Sequence, residues 1–282
     1  MFQNDMLKGQ TLLVTGGGTG LGRAMAERFG QLGASVGVCG RRTAPLEETV
    51  ESIRQGGGTA AFCSIDIRDP AKVEEGINAL EKELGEITGL VNNAAGNFLA
   101  ASEDLSYNAF NSVVQIVLYG TFNTTQALGR RWIERKTPAH VLSILTTYAW
   151  MGSAFVLPSA CAKAGVLAMT RSLAVEWGCY GIRLNGIAPG PFPTEGAFSR
   201  LMPPSYLEAA KKNIPLSRFG DPAELADLSA YLFSPMATYM TGEVVTLDGG
   251  EWLKSGQEFS DFTNMPREHL KAQLEAMKPK RD

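Results

Sequence analysis

Apolar segments of strand length alternate with helix-length periodic segments along nearly the whole chain, and this alternation constrains the fold most strongly. It predicts a parallel sheet, because parallel neighbours need a crossover connection that is usually a helix. Strands are predicted at Gln10–Thr15, Ser35–Cys39, Ala60–Ile65, Gly89–Asn92, Val141–Leu145, Ile182–Ile187 and Glu243–Leu247. Helices are predicted at Leu21–Leu32, Ala44–Gln55, Ala71–Leu84, Tyr107–Ile133, Pro158–Trp177 and Pro222–Ser234. The expected fold is α/β, a doubly wound parallel sheet of about seven strands with helices on both faces.

Length and composition favour one domain. A chain of 282 residues with 44% hydrophobic residues can bury one large core, and we see no internal repeat. We expect a single domain over residues 1–282, with a cofactor half at 8–145, a catalytic and substrate half at 146–250 and a C-terminal extension at 251–282. The net charge of -3, with basic residues scattered, argues against a nucleic-acid partner.

The remaining composition excludes several kinds of site. The four cysteines show no metal or redox spacing, so we interpret them as reduced packing residues. His140 and His269 are far apart and near no carboxylate cluster, which argues against a metal centre or a histidine triad. No apolar run approaches the roughly 18 residues of a membrane span, and neither terminus carries a recognised signal. A cytoplasmic location is therefore expected.

A glycine-rich string, TGGGTGLG at Thr15–Gly22, follows the first predicted strand and opens the first predicted helix. Gly16, Gly20 and Gly22 permit a tight turn, and free N–H groups at the helix N-terminus suit a pyrophosphate. Because strand, string and helix come in the required order, the segment predicts a Rossmann-type dinucleotide site.

Two arginines stand at the end of the second strand, where an NADH site usually carries an acid. The chain reads Gly40-Arg41-Arg42 there, with no acid until Glu47. Two guanidinium groups suit a 2′-phosphate, so the sequence favours NADPH over NADH. The alternative is that both arginines are only the solvated end of a strand.

Other strand ends are expected to complete the cofactor site. Asp66 can accept a hydrogen bond from the adenine amine, although it could instead be a helix cap, a role that Asp69 fills better. The small residues of VNNAAGNF let a backbone approach the cofactor, unless the two asparagines are simply a polar turn. Pro189-Gly190 follows the sixth strand, where a nicotinamide amide could be held. The positions expected to contact the cofactor are Gly16, Gly18, Thr19, Gly20, Leu21, Gly22, Arg41, Arg42, Asp66, Ile67, Asn93, Ala94, Lys163, Pro189, Gly190, Phe192 and Thr194.

The stretch Ser143–Lys163 brings hydroxyl groups close to a lysine after the fifth strand, where open α/β sheets carry their chemistry. Ser159 and Lys163 are four residues apart and so share one face of a helix. The loop before that helix is predicted to present Thr146 and Tyr148. This stretch is the candidate catalytic segment.

The glycine string, the Asn92-Asn93-Ala94-Ala95-Gly96 segment, the helix with Lys163 and Pro189-Gly190 together resemble the short-chain dehydrogenase/reductase family. The sequence departs from that family at three positions. Ser159 stands where the family has the tyrosine of its Tyr-x-x-x-Lys motif, Thr146 where it has a serine, and Val117 where it has an asparagine.

These departures resemble one branch of the family, the NADPH-dependent 2,4-dienoyl-CoA reductases. Asn97-Phe98, Tyr148, Pro158-Ser159 and the segment 196–200 share the resemblance, and residues 252–278 resemble the branch's C-terminal extension. The resemblance implies an oxidoreductase of fatty acid metabolism that binds an acyl-CoA and is usually a homotetramer.

The resemblance also implies roles for individual residues. Asn97 and Tyr148 would bind the thioester oxygen, Lys163 would hold the nicotinamide ribose, and Ser159 would support the site through a hydrogen bond. Contacts with the acyl-CoA are implied for Arg68, Phe98, Ser106 and Arg200. Glu195 departs from the branch, which often has a basic residue there.

Each role has a structural alternative. Tyr148 could be a loop aromatic that covers the core, Asn97 an ordinary turn residue, Ser159 a helix N-terminal residue, and Arg200 a solvated residue of a proline-rich lid at 190–214. Three functions stay open: dienoyl-CoA reductase, another acyl-CoA or carbonyl reductase that uses Tyr148, and a non-catalytic NADP-binding sensor.

Overall fold

A single parallel sheet of seven strands forms the centre of the molecule. The structure, a computed structural model, describes residues 3–194, 207–257 and 260–277. The strands are β1 Thr11–Thr15, β2 Ser35–Gly40, β3 Thr59–Ser64, β4 Gly89–Asn92, β5 Ala139–Ile144, β6 Ile182–Pro189 and β7 Val244–Leu247. Every predicted strand exists, and the predicted bounds differ from these by at most two residues at either end.

The strand order is β3-β2-β1-β4-β5-β6-β7, and all neighbours run parallel. β1 lies between β2 and β4, so the chain leaves β1 in one direction along the sheet and later returns to its other side. In register, Val14 pairs with Val38 on one side and with Val91 on the other. This reversal of strand order opens a crevice at the carboxyl ends of the strands, where such sheets bind ligands. The predicted doubly wound α/β fold is confirmed.

Helices connect the strands on both faces of the sheet. They are α1 Gly20–Gln31, α2 Thr43–Gln55, α3 Pro70–Leu84, α4 Tyr107–Val114, α5 Gly120–Arg135, α6 Tyr148–Met151, α7 Leu157–Trp177, α8 Leu207–Asn213, α9 Pro222–Phe233, α10 Glu251–Ser255 and α11 Arg267–Ala276. A π-helical segment, Gln115–Tyr119, joins α4 to α5. The prediction of one regular helix at Tyr107–Ile133 was therefore wrong in its middle, where the segment inserts a wider turn.

The core divides into layers around the sheet. Helices α1 and α9 cover one face, where Phe29 lies edge-on to Phe233 with ring centroids 5.4 Å apart. Helices α3, α5 and α7 cover the other face. A third apolar cluster joins Val117, Leu145 and Ala149 beside the crevice, and Phe98 packs against it. Within the described part of the chain, no helix is long and apolar enough to cross a membrane.

The sequence suggested that all four cysteines are packing residues, but only two of them are buried. Cys39 and Cys63 are buried and lie opposite each other on β2 and β3. Cys161 and Cys179 are exposed. Cys161 lies two residues from both Ser159 and Lys163 on α7, so it faces away from these two buried side chains.

Candidate active site

A cavity of about 690 Å³ lies at the carboxyl ends of the central strands. The glycine-rich turn after β1 forms one end, and the residues after β4, β5 and β6 form the other. The predicted cofactor residues line it with a single exception, Gly22. Asn97, Thr146, Tyr148 and Ser159 line it as well. The topology thus brings the predicted cofactor site and the catalytic segment into one cavity.

The glycine turn is built for close contact between backbones. Gly16 has φ of +66°, and a Cβ there would lie 3.0 Å from the Cα of Ala94. A Cβ on Gly22 would lie 2.3 Å from the carbonyl oxygen of Gly16. Gly22 therefore packs the helix against the turn, which explains why it does not line the cavity. The Asn93 side chain fixes the same turn by donating to the carbonyl oxygens of Thr15 at 3.0 Å and Gly16 at 3.3 Å.

Thr15 is a structural part of this turn that sequence analysis did not single out. Its hydroxyl donates to the Val91 carbonyl at 3.2 Å and accepts from the backbone N–H groups of Asn93 and Ala94 at 3.0 and 3.1 Å. The ends of β1 and β4 are locked together in this way. A threonine directly before the glycine string was the available signal.

Arg41 and Arg42 are exposed at the cavity wall, and neither forms a salt bridge with another described residue. Arg68 instead pairs with Asp66, its Nε lying 2.9 Å and its Nη2 2.5 Å from Oδ2. This hydrogen-bonded pair lowers the pKa of the Asp66 carboxyl, with Arg41 adding a weaker electrostatic contribution. Asp69, not Asp66, caps α3 by accepting from Ala71 N and Lys72 N.

These features fit an NADP-type dinucleotide. The positive-φ glycine turn has no side chains that would keep a phosphate away from its backbone. The N-terminus of α1 offers its free N–H groups to the same phosphate. At the other end, two guanidinium groups that pair with no carboxylate of the described residues suit a doubly charged phosphate. The residues thus match the cofactor that the sequence predicted.

A line of three polar side chains crosses the opposite end of the cavity. The Asn97 amide Nδ2 donates to Tyr148 Oη at 3.4 Å, and Tyr148 Oη lies 3.0 Å from Ser159 Oγ. The Asn97 Oδ1 accepts from Phe98 N at 2.9 Å, which points the amide nitrogen toward the tyrosine. Ser159 is 2% exposed, and its hydroxyl bonds to Tyr148 rather than to the helix backbone. We call these three residues the donor set.

The sequence placed Tyr148 in a loop, but it begins the short helix α6. Ala149 N donates to the Thr146 carbonyl at 3.1 Å, and Gly152 N donates to the Tyr148 carbonyl at 3.1 Å. Gly152 has φ of +73° and ends this single turn. The turn sets the tyrosine hydroxyl beside Asn97 and Ser159.

Lys163 lies buried on α7, one turn beyond Ser159, with only 6% of its surface exposed. Its Nζ donates to the carbonyl oxygen of Ile144 at the end of β5. Burial lowers the pKa of its ammonium group to about 8. Val117, at the position where the family has an asparagine, is buried in the apolar cluster beside α7. The lysine is thus held by a strand carbonyl.

Thr146 carries a cavity hydroxyl that the described part of the chain leaves without a hydrogen-bond partner. Thr146 Oγ1 is buried and forms no hydrogen bond with any described residue. Burying a hydroxyl without a partner costs free energy, so a ligand or water is expected to satisfy it. This orphaned atom is a further sign that the cavity binds a polar ligand.

None of the predicted acyl-CoA residues that the structure describes lines the cavity. Arg68 and Phe98 are next to its lining residues Ile67 and Asn97. Ser106 is an exposed N-cap of α4, where its hydroxyl accepts from Ala109 N at 3.1 Å. Arg200 lies outside the described residues, as do Glu195 and about half of the predicted lid at 190–214.

Several apolar lining residues were not predicted, and Ile116 and Leu145 are two of them. Ile116 belongs to the π-helical segment, and Leu145 follows β5. No sequence signal distinguishes Ile116, because its orientation depends on the extra residue in the π turn.

The arrangement can carry out hydride chemistry on a bound carbonyl compound. One cavity contains a dinucleotide-binding turn, the buried ammonium group of Lys163 and the neutral donor set. Neutral donors stabilise a negative charge that develops on an oxygen of the substrate.

Comparison with known proteins agrees with this geometry. A family described as "Enoyl-(Acyl carrier protein) reductase" matches residues 16–251. An uncharacterized oxidoreductase of Caenorhabditis elegans is 49% identical, over 87% of this chain and 80% of its own length. The probable 2,4-dienoyl-CoA reductase 3 of that organism, named as (3E)-enoyl-CoA-producing, is 44% identical over 93% and 87%. The probable 2,4-dienoyl-CoA reductase of Bacillus subtilis, named as (2E)-enoyl-CoA-producing, is 44% identical over 86% and 97%.

Solved structures share the fold. A short-chain dehydrogenase from Bacillus anthracis superposes with a TM-score of 0.80 at 42% identity, covering 86% of this chain and 96% of that one. A putative 2-deoxy-d-gluconate 3-dehydrogenase from Agrobacterium tumefaciens with bound NADP gives a TM-score of 0.81 at 31% identity, covering 89% and 99%. The chain therefore belongs to the short-chain dehydrogenase/reductase family, in its 2,4-dienoyl-CoA reductase branch.

Proposed function

We propose that this protein uses NADPH to reduce 2,4-dienoyl-CoA thioesters to enoyl-CoA in the oxidation of unsaturated fatty acids. One observation carries the proposal: the cavity holds a donor set of Asn97, Tyr148 and Ser159, with a serine where a ketone reductase of this family has its proton-delivering tyrosine. The names of the relatives support the same reaction.

The chemistry of a conjugated dienoyl thioester explains why such a donor set suffices. NADPH, when bound, supplies a hydride. The hydride forms a C–H bond at the δ carbon, and the π electrons shift so that negative charge reaches the thioester oxygen. A proton from water then bonds to carbon, and the products would be the enoyl thioester, NADP⁺ and hydroxide. The oxygen needs only hydrogen bonds during this step, because it receives no proton of its own.

Tyr148 and Asn97 are proposed to supply those hydrogen bonds. The tyrosine hydroxyl is a donor and an acceptor at once. It can accept from the Asn97 amide or from Ser159 while its own proton points to the thioester oxygen. A donor that is itself hydrogen-bonded is held in place and is more strongly polarised.

Lys163 is proposed to serve the cofactor end of the site. Its ammonium group is held by the Ile144 carbonyl and is buried, so its charge is little screened by water. A fixed cation there would bind the ribose hydroxyls and favour the developing dienolate. Arg41 and Arg42 are proposed to bind the 2′-phosphate, which accounts for the choice of NADPH.

The contacts with CoA are also proposed. Arg68 lies near the cavity wall, where one face of its guanidinium group is bound to Asp66. Its remaining N–H groups can contact CoA phosphates, as the resemblance implies. Phe98, beside Asn97, is proposed to lie along the acyl-CoA path, together with Ser106 and Arg200.

A second candidate is another acyl-CoA or carbonyl reductase, of the 3-ketoacyl type, with Tyr148 as its acid. The 3.0 Å contact between Tyr148 Oη and Ser159 Oγ favours it, since the tyrosine hydroxyl lies next to the residue that replaces the family tyrosine. A non-catalytic sensor is the third reading. An intact donor set argues against it, because a protein that only senses NADP needs no donors beyond the cofactor.

Exposed apolar side chains support a proposal about assembly. Tyr119, Phe122 and Val175 are large apolar residues exposed on the π-helical segment, α5 and α7. Such residues suit an interface between copies, and we propose a homotetramer, which light scattering coupled to gel filtration would test.

We propose a cytoplasmic location, although an Arabidopsis thaliana relative at 35% identity is named as peroxisomal. Imaging of a fusion with a free C-terminus would decide between the two.

The proposed activity is tested by side-by-side assays of NADPH oxidation. A medium-chain 2,4-dienoyl-CoA should be reduced, whereas acetoacetyl-CoA at the same concentration should give at most slight activity. Efficient reduction of acetoacetyl-CoA without dienoyl activity would establish the second candidate. Inactivity with both, despite tight NADPH binding, would favour the sensor.

A further inference from the structure

The helix that carries Tyr148 has little support of its own. α6 has four residues and begins at the tyrosine. A backbone hydrogen bond from Gly152 N to the Tyr148 carbonyl closes its last turn. A single turn of helix is not stable in isolation, so contacts from elsewhere must fix its orientation. Ala149 provides one contact by packing into the apolar cluster beside α7.

Trp150 provides a second contact, on the side facing the C-terminal segment. Its ring lies edge-on to that of Trp252 on α10, with centroids 5.6 Å apart and planes at 80°. This geometry is the favoured one for aromatic pairs. Trp150 is 36% exposed, so the indole of Trp252 shields part of a ring that otherwise faces solvent.

Trp252 is itself firmly placed. The Asp248 carboxylate, just after β7, accepts from Gly250 N and Trp252 N, each at 2.8 Å. Gly250 has φ of +89°, which turns the chain into α10. A continuous path therefore runs from the end of β7, through Asp248 and the two indoles, to the helix that begins with Tyr148.

We propose that Trp252 is a positioning residue, whose edge contact with Trp150 holds α6 so that the Tyr148 hydroxyl stays aligned with Asn97 and Ser159. The proposal rests on the proposed function in that it assigns Tyr148 to the transition state. Trp252 thus contributes to catalysis although it does not line the cavity. A donor displaced by about 1 Å can cost as much as about 100-fold in rate, so a modest packing contact has a large effect.

The test compares Trp252→Ala with Trp252→Phe, and Leu253→Ala serves as the matched control because Leu253 is 51% exposed on the same helix. We expect Trp252→Ala to lower kcat with a dienoyl-CoA at least about fivefold, with NADPH affinity and Tm nearly unchanged. Trp252→Phe, which keeps a ring at the contact, should recover most of the loss. Trp150→Ala should match Trp252→Ala, and the double variant should be no worse than either.

A second readout does not depend on turnover. 3-Fluorotyrosine placed at position 148 reports the environment of that hydroxyl through its ¹⁹F resonance. The resonance should shift or broaden in Trp252→Ala and stay unchanged in Trp252→Phe and Leu253→Ala. It keeps the proposal testable if the wild-type protein fails to reduce dienoyl-CoA, an outcome that would refute the proposed function alone.

Three results would overturn the positioning role. One is a kcat for Trp252→Ala within twofold of the wild-type value. Another is an unchanged ¹⁹F resonance in that variant. The third is a loss of activity accompanied by an equal loss of NADPH affinity or by a lower Tm, which would mark the contact as merely structural.

Discussion

Removing the Tyr148 hydroxyl is the most informative single change to the donor set. Tyr148→Phe leaves the ring, and with it the packing of α6, but deletes the atom that lies 3.4 Å from the Asn97 amide and 3.0 Å from Ser159 Oγ. If that hydroxyl donates to the oxygen on which charge develops, its loss should lower kcat about 10²- to 10³-fold, as for one donor of an oxyanion hole. NADPH affinity should change little.

The other two members of the donor set calibrate this effect. Asn97→Ala should also cost about 10²- to 10³-fold in kcat, since its amide is proposed to contact the same oxygen. Ser159→Ala removes a neutral hydrogen bond to the tyrosine, about 0.5 to 1.5 kcal/mol, and so should cost only about 2- to 12-fold. We therefore expect similar, large losses of kcat for Tyr148→Phe and Asn97→Ala, and a smaller loss for Ser159→Ala.

Stopped-flow or steady-state measurement of NADPH oxidation with a dienoyl-CoA gives kcat, and fluorescence titration gives the NADPH affinity. Tyr107→Phe is the matched control, because that tyrosine is 80% exposed on α4 and its loss should leave kcat unchanged. A larger loss of kcat for Ser159→Ala than for Tyr148→Phe or Asn97→Ala would contradict these roles. The main donor would then be on α7 and not on α6.

Three further predictions concern binding and pH. NADPH should bind at least about tenfold more tightly than NADH, a difference of about 1.4 kcal/mol in binding free energy. Arg41→Asp should shift the preference toward NADH in fluorescence titrations. Equal affinities of the wild-type protein for the two cofactors would contradict the 2′-phosphate site. Because burial lowers the pKa of Lys163 to about 8, kcat/KM should fall as pH rises through about 8, and a profile for Lys163→Arg without that fall would confirm the assignment. Burial, with a smaller contribution from the charge of Arg183, holds the pKa of His140 well below its ordinary value, so the unfolded chain binds a proton that the folded chain does not. Its contribution to stability is therefore present above about pH 6.5 and lost below it, and His140→Gln should flatten the fall in unfolding free energy between pH 7.5 and 5.5, by up to about 1.4 kcal/mol per pH unit.

The sheet could be predicted because its signal is local. Each strand is a short apolar run followed by a turn or a polar segment, as in the run that ends at Thr15 before the glycine string. Parallel order then follows from the helices between the strands. Strand ends shifted by one or two residues, as at Gly40 and Pro189, because their last residues are fixed by neighbouring strands and not by their own side chains.

The cofactor site was also predictable, since most of its residues directly follow a strand. Parallel strands end on the same edge of a sheet, which brings together residues as distant in sequence as Gly16 and Asn93. Gly22 was predicted to contact the cofactor but does not line the cavity. A glycine that allows helix packing and one that faces a phosphate look alike in sequence. The Thr15 network was missed because its partners are backbone groups of another strand.

The donor set was harder to predict, because it depends on a turn of helix that the sequence barely signals. α6 has only four residues, too few for a periodic pattern, and Tyr148 was therefore predicted to lie in a loop. The π-helical segment that places Ile116 in the cavity depends on one extra residue in a helical turn. The contact between Trp150 and Trp252 joins residues about 100 positions apart, and no local pattern predicts such a pair.

The central claim is that hydride reaches the end of a conjugated system while the donor set holds the thioester oxygen. Reduction of a 2,4-dienoyl-CoA with NADPH that carries deuterium at the transferred position, followed by NMR and mass spectrometry of the product, locates the new C–D bond directly. We predict one deuterium, at the δ carbon of an enoyl-CoA, and no alcohol product. Deuterium at the β carbon, or on a carbinol carbon when a ketoacyl-CoA is the better substrate, would contradict it.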